Sequence, residues 1–308
     1  MMDPRMPAYF WVPFLVSAVA AYPVLGMLRA MKSRQTIYEH APETHQVKQG
    51  TPTMGGIIIL CGLLAGLLMF PRPWWAAFVL VLGFALIGFL DDYVVPRVYN
   101  TKRGLGWKQK FVAEVVVAVG GLLTLTQRPS DLVVGTLVIL FCANAYNFAD
   151  GLDGLAGSTL LGFVAGLGCI GVLVGVPTVL AMCLVLAGAT LPFLFLNAPP
   201  AKVFMGDVGS MPLGALLGLL VLGLWSTNPS VPRAVVLAVL GLMLVVELVP
   251  VPLQVGYYKL TKKRLFPFTP IHHAFEKKGW KETRVVATFA IAQLVFSALA
   301  VSLAWWWA

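Results

Sequence analysis

The sequence predicts an all-α polytopic membrane protein with about ten transmembrane helices, forming a single domain over residues 1–308. Two observations predict it. First, 59% of the 308 residues are hydrophobic and only 11% are charged, where a soluble domain would be about one-quarter charged. Second, there are ten apolar segments, at about 9–28, 55–70, 74–90, 111–126, 132–148, 158–175, 177–196, 211–225, 233–254 and 285–307. Each is near the ~20 residues that a spanning helix needs. Their apolar residues run continuously, which excludes the alternation of a β-barrel, and lipid admits only helices or closed barrels.

The first segment, 9–28, is too long for the apolar core of a signal peptide and lacks a small-residue cleavage site, so it is expected to stay as a span. Segments 55–70 and 211–225 are short with Gly-rich starts, which are expected to be re-entrant or packed on other helices. Segment 233–254 holds Glu247 ahead of Pro250 and Pro252. The prolines predict a broken helix there. The intramembrane acid is either functional or an acceptor for donors freed by the break. Cys61, Cys142, Cys169 and Cys183 lie in apolar runs without ligand spacing, and they read as small buried hydrophobes rather than disulfides or a metal knuckle.

Charge sets the orientation. Connections 29–54, 91–110, 149–157, 197–210 and 255–284 carry 18 of the 22 Lys and Arg; Arg5, Arg72, Arg128 and Arg233 fall elsewhere. The bias predicts that these five connections are cytoplasmic and both termini are outside. The net charge of +9 sits in short loops between spans. That pattern fits orientation and anionic lipid, not nucleic acid. The outer connections read as turns, so the chemistry belongs on the inner face.

The inner connections carry five polar motifs, each with two readings. Around Lys48, Thr51, Thr53, Gly55 and Gly56, the residues suit either a phosphate cradle or a Gly-Pro turn that opens a helix. Asp91-Asp92 ends an apolar run, as an interfacial anchor or as one wall of a site. The following Lys102, Lys108 and Lys110 are either a positive-inside loop or a grip on a phosphorylated substrate, with Glu114 four residues beyond Lys110 as its expected partner. Asn144, Asn147 and Asp150 share one helical face, and Asp153 is either part of the same site or a helix cap. Asp207 between glycines suits a hard divalent cation, and Phe204 suits a base; a simple cap is the alternative. His272 and His273 point to different faces, near phosphate or on an amphipathic surface piece.

Read together, these loops resemble the phospho-N-acetylmuramoyl-pentapeptide-transferase (MraY) family, within the polyprenyl-phosphate N-acetylhexosamine-1-phosphate transferases. The matching motifs are Lys-x-Gly-Thr-Pro-Thr-Met-Gly-Gly at 48–56, Asp-Asp at 91–92 and Thr-Lys-x-Gly-Leu at 101–105. They continue with Asn-x-x-Asn-x-x-Asp-Gly-Leu-Asp-Gly-Leu-Ala at 144–156, Phe-Met-Gly-Asp-x-Gly-Ser at 204–210 and Pro-Ile-His-His-x-Phe-Glu-x-x-Gly-Trp at 270–280. They cover nearly the whole chain in order. One departure is Ala274, which stands where the family carries a third histidine.

The resemblance implies Mg²⁺-dependent transfer of phospho-MurNAc-pentapeptide from its UDP carrier to undecaprenyl phosphate, giving lipid I and UMP, in the bacterial cytoplasmic membrane. It also implies a homodimer among membrane lipids. Asp207 and Asp92 are the expected metal ligands, and Asp91 the base or orienting acceptor. Lys48, Lys102 and Lys108 are expected on phosphates, beside Thr53. Asn144, Asn147, Asp150, Gly151, Leu152, Asp153, Asn197 and Phe204 are expected at the uridine and metal end, with Phe204 stacking on uracil. His272 and His273 are expected at the diphosphate or the sugar-peptide. A one-step displacement is expected over a covalent phospho-enzyme. Two alternatives are a sister transferase using UDP-GlcNAc and a non-enzymatic lipid transporter. Transporters place polar residues nearer the midplane than this chain does.

Overall fold

A computed structural model describes residues 4–31, 50–71, 74–101 and 104–307. Among these residues the regular structure is helical, apart from an isolated bridge at Pro52. The helices are α1 (Met6–Ala30), α2 (Gly56–Leu67), α3 (Trp75–Phe89), α4 (Val95–Val98), α5 (Trp107–Leu122), α6 (Pro129–Ala149) and α7 (Leu155–Leu173). They continue with α8 (Pro177–Asn197), α9 (Asp207–Thr227), α10 (Val231–Leu240), α11 (Leu242–Leu248), α12 (Pro250–Thr261), α13 (Ile271–Lys277) and α14 (Glu282–Trp307). A π turn, Leu90–Val94, joins α3 to α4.

Among the described residues seven helical stretches, one of them α3 continued through the π turn into α4, are long and apolar enough to cross a membrane, or eight if the bent pair α10 and α11–α12 counts as one span. The chain is thus a polytopic membrane protein. The segments at 55–70 and 111–126 fall on shorter helices of 12 and 16 residues. At 1.5 Å per residue α2 spans roughly 18 Å, well short of a ~30 Å hydrocarbon core.

The centre of the fold is α9. It packs most extensively on α6 and α3, and it also meets α2. Small residues allow this closeness. A Cβ at Gly214 would lie 2.7 Å from the Ala143 Cα, and one at Gly218 would lie 2.9 Å from the Ile139 Cα. Lipid tails offer no hydrophobic drive between helices, so such close backbone packing holds them together. The Gly-rich starts of α2 and α9 meet each other: a Cβ at Gly209 would come within 2.5 Å of the Gly56 Cα. Around α9, α1 packs on α8, α7 on α8 and α14, and α10 on α14.

The helix of the ninth segment breaks near Pro250 as its prolines predict, at Val249 between Leu248 and Pro250, but the large bend of 61° falls earlier, between Leu240 and Leu242 at Gly241. Pro250 opens α12, where its missing N–H costs little. The reading of the cysteines needs correction. Among the cysteines, Cys142 and Cys183 are buried and Cys61 is intermediate, but Cys169 is exposed. An apolar side chain on a membrane helix can face lipid as well as the core.

Candidate active site

The first residue of α9 is Asp207, so the most buried helix begins in the site. Gly206 before it has φ +72°, which favours glycine, and a Cβ there would lie 2.6 Å from Asp92 Oδ2 and 2.8 Å from the Thr53 hydroxyl. Gly88 of α3 packs directly on the Asp207–Val208 backbone with no room for a Cβ. This contact sets the end of α3 against the start of α9. In the π turn that follows, more residues share each turn than in an α-helix, so the adjacent Asp91 and Asp92 diverge less.

One oxygen from each of Asp91, Asp92 and Asp207 lies within 4.8 Å of the others. The Asp91 carboxylate accepts from the Leu105 N–H at 2.5 Å and from the Lys110 ammonium at 3.1 Å. Lys110 also donates to Asp207. Asn147 Nδ2 donates to the other Asp207 oxygen at 2.7 Å and to the Ser210 hydroxyl at 2.9 Å. Asp92 accepts from the Val208 N–H at 3.3 Å. The helix N-terminus favours the negative charge gathered here.

Lys110 was expected to pair with Glu114. Instead its ammonium goes to Asp91 and Asp207, and Glu114 accepts from Asn144 Nδ2 at 2.7 Å. Tertiary partners on the π turn and on α9 outweigh a same-helix pair worth a few tenths of a kcal/mol. Lys108 is exposed and lies over the Trp107 ring at 5.6 Å, outside the cluster. Lys48 and Lys102 lie outside the described residues.

Asp150 adjoins the cluster and accepts from the Gly206 N–H at 3.2 Å. Burial first, then the Asp207 charge, pushes its carboxyl well above the ordinary range; the Gly206 N–H offsets part of this. The loop after it is tied on three sides. Asp153 accepts from the Ala201 N–H at 2.9 Å, and its own N–H donates to Glu282 at 2.7 Å. Asn197 accepts from the Gly154 N–H at 2.9 Å and donates to the Val203 carbonyl at 3.0 Å. Both ends of the Asn197 amide therefore hold loops. Half-buried Phe204 is fixed through its backbone, donating to Pro52 O at 2.9 Å and accepting from Gly55 N–H at 2.8 Å.

The two histidines diverge. His272 is fully buried, with Nδ1 2.8 Å from Glu247 and its far edge against Gly151. His273 is half-buried, with Nδ1 2.7 Å from Glu276. Ala274 is buried.

Sequence reasoning missed Glu282 as part of this region, and it placed Lys110 and Ser210 in the site's loops without the aspartate and Asn147 contacts that they make.

The donor set fits a hard divalent cation. Three carboxylates converge, and with one ammonium they leave two net negative charges, which one Mg²⁺ would balance.

Comparison with known proteins agrees with this geometry. Residues 74–224 match the model described as Glycosyl transferase family 4, and residues 48–60 match Phospho-N-acetylmuramoyl-pentapeptide-transferase signature 1. Three proteins named phospho-N-acetylmuramoyl-pentapeptide-transferase are similar over most of their length. The one from Wolbachia sp. subsp. Brugia malayi (strain TRS) is 35% identical, covering 95% of this chain and 97% of its own. The one from Clostridium perfringens (strain 13 / Type A) is 34% identical, covering 97% and 99%. The one from Rhodopseudomonas palustris (strain BisB18) is 34% identical, covering 89% and 86%. With relatives this similar over nearly its full length, and with Thr53 of the signature beside Gly206 and the acidic cluster, the chain belongs to the phospho-N-acetylmuramoyl-pentapeptide-transferase family.

Proposed function

We propose that this chain transfers phospho-MurNAc-pentapeptide from UDP-MurNAc-pentapeptide to undecaprenyl phosphate, yielding lipid I and UMP, the first membrane step of peptidoglycan synthesis. The observation that carries the reading is the convergence of Asp91, Asp92 and Asp207 around Lys110 at the ends of long apolar helices. A water-soluble nucleotide sugar and a lipid phosphate can meet only at such a boundary. The proposed setting is the bacterial cytoplasmic membrane, with the site on the cytoplasmic face, ten crossings in one domain, both termini outside and a homodimer. The skew of Lys and Arg supports that orientation.

In the reaction a lipid phosphate oxygen bonds to the β-phosphorus of the nucleotide sugar. The β-phosphorus to bridging-oxygen bond breaks, and that oxygen leaves on UMP. Such a transfer requires alignment and charge neutralisation rather than covalent help. Asp91, held by Leu105 and Lys110, accepts the lipid phosphate proton or orients that group. Lys110 offsets charge on the transferring phosphoryl oxygens, with Lys48, Lys102 and Lys108 as further phosphate contacts. Asp207, fixed by Asn147, and Asp92 would hold Mg²⁺. Mg²⁺ held there would supply Lewis-acid stabilisation of the charge that develops on the phosphate of the leaving UMP. Asp150, Gly151, Leu152, Asp153 and Asn197 shape the uridine end together with Phe204 and Thr53. His273, with a carboxylate at its back, faces the sugar-peptide.

The test offers purified protein undecaprenyl phosphate with either UDP-MurNAc-pentapeptide or UDP-GlcNAc. Lipid I from the first and no lipid product from the second is the expected result. Product from UDP-GlcNAc alone would transfer the reading to the sister transferases, and none from either would end it.

A further inference from the structure

Glu247 and His272 form a pair that the transfer chemistry leaves unexplained. Glu247 lies in α11, just past the Gly241 bend, and is 2% exposed; His272 in α13 is 0% exposed. The Nδ1 to Oε2 distance is 2.8 Å. A carboxylate only accepts, so Nδ1 carries the proton and the ring plane is fixed. The opposite nitrogen, Nε2, has no hydrogen-bond partner. It presses on Gly151, where any Cβ would overlap the imidazole. The second Glu247 oxygen also lacks a partner, and Glu247 lines a cavity of about 20 Å³ together with Tyr146, Thr159 and Gln293 among others. Buried polar atoms left unpaired are costly, and they persist where an arrangement requires them.

What the arrangement braces is the loop after Asp150. Its later residues are tied by Glu282 and Asn197, and Leu152 packs in a small apolar cluster with Leu155 and Met243, the last also from α11. Gly151 is the point at which His272 meets it.

We propose that Glu247 is a positioning residue that acts through His272: it holds the imidazole edge under Gly151 and so sets the loop that receives the nucleotide. The proposal rests on the transferase reading above. It gives His272 a place beneath the loop, out of contact with the reacting phosphates.

The experiment measures UMP affinity in detergent for the parent, E247M, E247Q, G151A and the E247M/G151A double variant. Alongside it, ¹⁵N-histidine NMR reads the His272 tautomer, assigned by signal loss in H272Q. The chain has only four histidines, which keeps the spectrum tractable. E247M is expected to weaken UMP binding about tenfold and to release the proton from Nδ1. E247Q, whose carbonyl still accepts, stays within about twofold of the parent. G151A matches E247M, and the double variant is no worse than the weaker single, because both act through one imidazole. Parent-like UMP affinity in E247M and G151A overturns the proposal, as do multiplying losses or a His272 proton that stays on Nδ1 in E247M. If E247M does not fold, G151A decides by the same criterion. Failure of the parent itself to bind UMP would sink the transferase reading rather than this positioning role.

Discussion

Lys110 on α5 donates to Asp207 at the head of α9, and its ammonium is shared with Asp91 at 3.1 Å. This cation keeps three carboxylates from facing one another unopposed. In Lys110→Met the acids repel, so the thermal midpoint falls in EDTA. Because Mg²⁺ binds the folded form, adding it recovers much of that loss. Turnover falls at least ~100-fold, in line with removal of a charge-stabilising donor. Thermal melts in EDTA and in Mg²⁺ check the first claim; identical midpoints for parent and variant in EDTA would refute it.

Gly88 bears on the site without touching substrate. A Cβ there runs into the Asp207–Val208 backbone, which cannot swing aside as a side chain can. Gly88→Ala therefore separates the aspartates of the π turn that follows α3 from that of α9, at about 1–3 kcal/mol or more of overpacking. Lipid I synthesis should fall steeply even in the fraction that remains folded, as seen by normalising activity to folded protein on size exclusion. Full specific activity would show that α3 and α9 need not be so close.

Asp150 gives a pH dependence with a definite sign. Burial and then Asp207 raise its carboxyl, so the folded chain holds a proton that the unfolded chain releases. The associated stability is complete below the ordinary Asp range and is lost as pH rises through the raised value. Asp150→Asn keeps an acceptor for the Gly206 N–H and removes the titration. Its melting advantage over the parent should grow as pH is raised from the ordinary Asp range upward. Parallel melting curves over that rise in pH would contradict the shift.

Much of the fold could be read from the chain because lipid forces each crossing to be a long apolar helix, and the Gly-rich starts of α2 and α9 marked their packing. The loops of the site were legible for a similar reason: acids, amides and histidines beside membrane spans stand out. What could not be read was tertiary choice. Local spacing favoured Glu114 for Lys110, but the fold delivers Asp207 from 97 positions away. Proline chemistry points to a break at Pro250, and the helix does break at Val249, but the 61° bend at Gly241 carries no such mark in the sequence. Asn197 has the look of a ligand group, and only its two loop contacts reveal that both ends of its amide are already engaged.

The most direct test follows exchange of radiolabelled UMP into UDP-MurNAc-pentapeptide, with and without undecaprenyl phosphate, in the parent and in Asp207→Asn. Direct transfer at the Asp91–Asp92–Asp207 cluster requires exchange only when the lipid is present, and its loss in Asp207→Asn. Exchange without lipid would demand a covalent phospho-enzyme, and undiminished exchange in Asp207→Asn would place the chemistry elsewhere.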